Sequence, residues 1–218
     1  MTRPVAFFRL EGVLVARPAA LAAGWFATNA QHLSGRLARF GAVAASAPFN
    51  LGVGDPALGA RLAWMGLREM SDDRVEVLGE EYWAIWLAEH LLPAGVDLLA
   101  RARRDGFATV LVADHIEPIA RHAAAELKVD HLVANRVEMR NGRCTGRLLD
   151  PVVARFGGRP LRDFTAAHQL DLSQARAYGS AAADQVLLSS APWPCAVHPD
   201  RGLRRVARDL DWPIVEGA

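Results

Sequence analysis

Three clusters of ionisable side chains stand at the ends of apolar runs in this chain. Arg9 and Glu11 follow Val5, Ala6, Phe7 and Phe8; Asp114, His115 and Glu117 follow the run ATVLV at 108–112; Ser180 and Asp184 follow the short apolar stretch 175–178 in the sequence GSAAAD. Glu11 has the chemistry of a general base or a nucleophile, and Asp114 with His115 is an acid and imidazole pair suited to proton transfer. Arg9 cannot attack an electrophile, because a guanidinium stays protonated and offers no lone pair. It suits either of two tasks, anchoring an anion or neutralising buried carboxylates. Ser180 lacks the G-x-S-x-G spacing of an esterase elbow, although the backbone N–H groups of GSAAAD are available to an anion. Structural alternatives stand beside these readings: Asp114 as a cap for a helix beginning near Pro118, His115 as a solvated side chain, and His198 with Asp200 as tail structure.

Chemistry at such positions needs strands that end along a common edge. Consecutive apolar residues fit strands buried on both faces, as in the centre of a parallel sheet, and ligand crevices in such sheets lie beyond the carboxyl ends of the strands. Gly12 suits a tight turn directly after Glu11. Before the next strand, residues 17–45 carry Leu21, Trp25, Leu33, Leu37 and Phe40 at helical spacing, and a loop is expected over 48–56 around Asn50, Gly52, Gly54 and Asp55. A second helix is expected over 57–70 and a third over 71–92, where Ser71, Asp72 and Asp73 favour a helix start. Its Tyr82, Trp83 and Trp86 read as the core of a helical insert, and Pro93 with Gly95 closes it.

Beyond Gly95 the pattern alternates: helix 96–104, strand 108–112, helix 118–127, a hairpin within 131–149 turning at Asn141 and Gly142, helix 161–170, strand 175–178, strand 195–197 and a closing helix. This is an α/β chain, a doubly wound parallel sheet with an inserted all-helical cap. Residues 1–16 and 94–218 are expected to form the core, and 17–93 the cap.

Composition bounds the partners. At 218 residues there is room for one main domain with a smaller insert. A formal net charge of +1 gives no reason to expect nucleic acid or a charged membrane. Lys128 is the sole lysine. Cys144 and Cys195 are far apart and outside any CxxC spacing, which argues against a disulfide framework or a zinc site. Neither a signal peptide nor a transmembrane span is expected, and the expected location is the cytoplasm.

Longer stretches carry a family resemblance. FFRLEGVLV resembles the motif FFDxDGTLV, and VLVADHIEPIARHAAAELKVDHLVANRVEMRNGRCTGRL resembles a second motif with its helix and hairpin. AYGSAAADQVLL resembles YGDSxxDxxLL, and AVHPDRGLRRVARDLDWPIV resembles a C-terminal tail. Together they make nearly the whole chain similar to the haloacid dehalogenase superfamily, in its phosphoserine phosphatase-like branch with a helical cap. The resemblance implies a Rossmann-like core and phosphoryl transfer through an aspartyl-phosphate with magnesium. It also implies that Arg9 stands for the nucleophilic aspartate, Glu11 for the acid and base aspartate, and Val13 for a threonine. Ala113 stands for a serine or threonine, Arg159 for the third-motif lysine and Ser180 for a metal-binding aspartate, while Asp184 is retained.

Magnesium is held by an octahedron of oxygens, and two of the family's three carboxylates are replaced. Two unit charges of like sign about 4 Å apart near a protein surface repel by about 4 kcal/mol, so Arg9 opposes a cation there. No metal and no other cofactor is expected. Two function classes follow. One is a protein that has lost the phosphatase machinery and acts by binding a small anionic ligand or a protein partner, a homodimer included. The other is a metal-independent enzyme that uses Glu11, Asp114, His115 or Asp184 as acid and base on an anionic small molecule. The ligand positions in both are Arg9, Glu11, Val13, Ala113, Arg159, Ser180 and Asp184. A crevice filled by Val13 and Phe49 would favour a scaffold, and an open one with Arg9, Arg159 and His115 converging would favour an anion.

Overall fold

The computed structural model describes residues 2–29, 33–50, 53–152 and 154–216. Strand β1 (Arg3–Arg9) is followed by helices α1 (Ala19–Thr28), α2 (Leu33–Asn50), α3 (Pro56–Met65) and α4 (Asp72–Tyr82), then by a π-helical turn at Trp83–Leu87 and a 3-10 turn at Ala88–His90. Next come α5 (Pro93–Arg104), β2 (Ala108–Ile116), α6 (Glu117–Glu126), β3 (His131–Asn135), β4 (Val137–Arg140) and β5 (Arg143–Leu148). The chain ends with α7 (Gly158–Ala167), β6 (Leu170–Gly179), α8 (Gln185–Leu188), β7 (Trp193–Val197), α9 (Arg201–Asp209) and β8 (Ile214–Val215).

Six strands make one parallel sheet in the order β3-β2-β1-β6-β7-β8. The chain winds outward from β1 through β2 to β3, then crosses to the other side of β1 and continues outward, so β1 lies where the strand order reverses. Its side chains alternate between two cores. Ala6, Phe8 and Leu10 face the apolar cluster that includes Leu99 of α5 and Ile119 of α6. Val5 and Phe7 face the other, with Leu161 of α7 and Leu203 of α9. Alternation across two buried faces is why the run reads as uninterrupted hydrophobicity. The separate hairpin β4-β5 turns through Asn141 and Gly142, both at positive φ (50° and 72°), as a two-residue type I′ turn requires.

The helices between β1 and α5 share the first of these cores, with Phe26 and Trp64 edge to face at 6.1 Å and Leu78, Tyr82 and Trp83 buried. Trp86 is partly exposed and lies under the Arg17 guanidinium.

Several sequence expectations about bounds are corrected. The helix expected over 17–45 is two helices, α1 and α2. Helix α2 runs to Asn50 through Pro48, replacing the first part of the expected loop; a proline in the last turn removes only one ladder bond. Gly52 and the Leu33 side chain lie outside the described residues. Asp55 caps α3 by accepting from Ala57 N–H at 2.9 Å. Helix α3 stops at Met65, and the expected third helix breaks after Tyr82 into the π and 3-10 turns. Pro93 opens α5 at its first turn, where its missing N–H is harmless, instead of closing the preceding helix. Strands β2, β6 and β7 are longer than expected, because pairing with parallel neighbours continues past the expected runs, through Ile116 opposite Asn135, Leu170 opposite Arg3 and Trp193 opposite Arg176.

Candidate functional site

Register does the positioning. Arg9 is level with Val112 of β2, and Phe8 with Tyr178 of β6, so the residues that follow each pair emerge along one carboxyl edge. Gly12 turns the chain there at φ +74°, and a Cβ on it would lie 2.0 Å from Ser180 Oγ. The Ser180 hydroxyl instead donates to the Glu11 carbonyl at 3.0 Å, tying β6 to the end of β1.

Arg9, only 4% exposed, stands inside a cage of three carboxylates. Its Nη2 lies 2.5 Å from Asp114 Oδ2 and 3.3 Å from Glu11 Oε2, and its Nε lies 2.8 Å from Asp184 Oδ1. The acids are held in turn by N–H donors. Glu11 Oε1 accepts from the backbone N–H groups of Asp114 (2.8 Å) and His115 (2.9 Å) and from His115 Nδ1 (2.6 Å). Asp184 Oδ2 accepts from the N–H groups of Ser180 (2.8 Å) and Ala181 (3.0 Å). Among the described residues, Glu11 Oε2, Asp114 Oδ1 and His115 Nε2 are buried without a hydrogen-bond partner.

One positive charge facing three carboxylates cannot serve them equally. Burial alone would loosen the Arg9 proton, but Asp114, Asp184 and Glu11 outweigh it and raise its pKa above the ordinary value. Burial would likewise raise Glu11, and there Arg9 and the His115 hydrogen bond prevail, bringing it down to about 2. For Asp114, burial wins over the attraction of Arg9, with repulsion from Glu11 adding to it, and the carboxyl is pushed up to about 6. Two neighbouring carboxyl groups with proton affinities driven apart are the electrostatic pattern of an acid and base pair.

The cage opens on a cavity of about 850 Å3 between the sheet edge and the first three helices. Arg9, Glu11, Asp114, Ser180 and Asp184 line it together, with Phe49 and Trp64 across from them. The crevice is therefore open with Phe49 on its wall. Other expected positions fall elsewhere. Val13 and Ala113 are fully buried in the core behind the site. Arg159 is corrected out of the crevice: it sits in the first turn of α7, pairs with Asp163 at 3.5 Å, and its side chain is 85% exposed. His115 is not solvated but fully buried, since β2 continues through it, and it bonds to Glu11 instead of pairing with Asp114. Asp114 caps no helix: the N-cap of α6 is Ile116, with no side-chain cap bond.

Asp200, expected in tail structure, instead lines the crevice. Its carboxylate accepts from Leu203 N–H at 2.7 Å, capping α9, and from Ala182 N–H at 3.0 Å, bracing the loop after β6. The signal was present in the sequence, an acid just past a strand end and before a helix. For Trp64 there was no comparable signal, because only tertiary folding of the helices brings it to the edge.

Residues 15–189 match the family profile described as haloacid dehalogenase-like hydrolase. Phosphoserine phosphatase SerB2 of Mycobacterium tuberculosis is 32% identical over 118 residues, covering 54% of this chain and 29% of that protein. The chain spans less than half the length of several curated relatives it matches, from 29% to 42%. Among solved structures, a protein of unknown function from Bordetella pertussis Tohama I superposes with a TM-score of 0.85 at 22% identity, over 99% of both chains. A phospho-aspartyl intermediate analogue of phosphoserine phosphatase superposes with a TM-score of 0.71 at 14% identity, over 99% of this chain and 94% of the other. These likenesses establish the fold. They also correct the expectation drawn from the replaced motif residues that phosphatase activity is lost, on which both functional readings rested. Relatives carry phosphatase names, and nothing in the matches marks a loss of activity. Physically, replacing single groups did not dismantle the place where they act: an open crevice with three ordered carboxyl groups remains.

Proposed function

The chain belongs to the haloacid dehalogenase-like hydrolase family, and from that premise we propose that it is a phosphatase acting on a small phosphate monoester in this crevice. The observation that carries the reading is the pair Glu11 and Asp114 on one open cavity, the first ionised down to about pH 2 and the second holding its proton up to about pH 6. Glu11, ionised, takes a proton from a water that attacks phosphorus, and Asp114 gives its proton to the ester oxygen that leaves. Arg9 fixes both and offsets part of the charge that a phosphate dianion would meet. The site is not that of a conventional member, since an arginine occupies the position that the family resemblance gives to the nucleophile.

The magnesium implied by the family does not fit the residues present. A divalent ion needs several free oxygens in an octahedron. Here the inward carboxylate oxygens face Arg9, and Glu11 Oε1 and Asp184 Oδ2 are taken by N–H donors. With the side chains as they stand around Arg9, no group of three or more His, Cys, Asp or Glu among the described residues is arranged to hold a metal.

The reading extends to a small anionic substrate as the partner and to a cytoplasmic setting. The unpaired thiols of Cys144 and Cys195 support that setting. Among the described residues no helix is long and apolar enough to cross a membrane. Phosphate release from a panel of small esters, phosphoserine and p-nitrophenyl phosphate among them, tests the proposal. The wild-type chain is expected to release phosphate from at least one, and Glu11→Gln to lose roughly 100-fold or more of that rate. Absence of release from every ester by the wild type would overturn it.

A further inference from the structure

We infer that the Arg9 guanidinium is a built-in counter-cation: it fills the carboxylate cage at the sheet edge, and the native cage excludes a divalent ion. Three acids from three different segments, Glu11 after β1, Asp114 in β2 and Asp184 beyond β6, turn toward a single centre, and the centre is occupied by Arg9. The oxygens are accounted for almost completely. Asp114 Oδ2, Asp184 Oδ1 and Glu11 Oε2 face the guanidinium, Glu11 Oε1 and Asp184 Oδ2 accept N–H donors, and only Asp114 Oδ1 has neither. N–H groups aimed at a carboxylate compete with a metal for the same lone pairs.

Arg9 is also not free to swing out. It is the last residue of the central strand, level with Val112, and the next residue, Leu10, is fully buried and donates its N–H to the Val112 carbonyl at 2.9 Å. A side chain rooted there and enclosed by three carboxylates is a permanent occupant, whereas a bound ion would exchange with solvent. Taking the guanidinium away leaves three carboxylates facing one another in a buried site, an arrangement that draws in a cation. The cage thus has two alternative ways of being neutralised, and the residue at position 9 selects between them. This inference stands on the cage geometry and does not depend on the hydrolase reading.

Calorimetric titration with magnesium and with manganese, without substrate, tests it on the wild type, Arg9→Ala and Arg9→Lys, alongside melting curves with each ion and with chelator. Wild type and Arg9→Lys are expected to show no saturable heat and the same melting temperature in all three conditions. Arg9→Ala is expected to bind the ions roughly tenfold or more tightly than the wild type and to gain melting temperature with them, since affinity follows the number of charged ligands. Folding of Arg9→Ala only in the presence of a divalent ion would equally support the inference. Saturable magnesium binding by the wild type would overturn it, as would a folded Arg9→Ala indifferent to both ions. If Arg9→Ala fails to fold under every condition, the idea that the cage accepts an ion in place of Arg9 is overturned as well. Because the readout is ion binding, a failure here leaves phosphate release by the wild type as a separate result.

Discussion

At the end of β1 a single guanidinium is shared by Glu11, Asp114 and Asp184, and removing it strands three carboxylates, Asp184 buried and Glu11 and Asp114 partly so. Arg9→Ala is therefore expected to cost about 3–5 kcal/mol of stability, read from urea denaturation in chelator. The two shifted carboxyls act on stability in opposite directions. Glu11 is lowered from 4.5 to about 2, so its contribution is complete above pH 4.5 and is lost as the pH falls toward 2. Asp114 is raised from 3.8 to about 6: the folded state holds the proton more tightly, so its contribution is present below 3.8 and is lost as the pH rises through 6. Melting curves should show a limb that falls between pH 4 and 6, and Asp114→Asn should flatten it. A wild-type melting temperature that rises steadily through that window, with Asp114→Asn behaving identically, would contradict the assignment.

Two turns with left-handed glycines separate what strain alone costs from what crowding adds. Gly142, at φ +72°, has open space where a Cβ would go, so Gly142→Ala should cost about 1–2 kcal/mol and leave the site untouched. Gly12 has a similar φ, but its Cβ would run into Ser180 Oγ. Gly12→Ala should therefore cost more than Gly142→Ala in the same denaturation experiment and also lower activity, because the Ser180 bond to the Glu11 carbonyl would have to move. Both turns were legible in the sequence, one as a glycine after a strand and the other as Asn-Gly between alternating segments. The far end of β2 was not. Asp114 and His115 are polar and precede a proline, which locally resembles a loop and a helix cap; only pairing of Ile116 with Asn135 of β3 carries the strand past them.

Over the whole molecule, the sheet order and both cores follow from apolar runs whose residues face two ways, and those runs were readable. The candidate site was readable in part. Arg9, Glu11, Ser180 and Asp184 stand at strand ends that local sequence reveals, whereas Arg159, a crevice residue by motif position alone, folds outward on α7. The partner chosen by His115 was not legible either, because it depends on parallel register between residues about a hundred positions apart. The same register sets Glu11 and Asp114 side by side with their protons held so differently, and the proposed phosphatase activity turns on that pair. The most direct measurement is kcat/KM for phosphate release as a function of pH, in the wild type and in Asp114→Asn. The wild-type profile should decline as the pH rises past about 6, and Asp114→Asn should lose that inflection together with roughly 100-fold or more of the rate. A profile flat across that range, or one that Asp114→Asn leaves unchanged, would contradict the account.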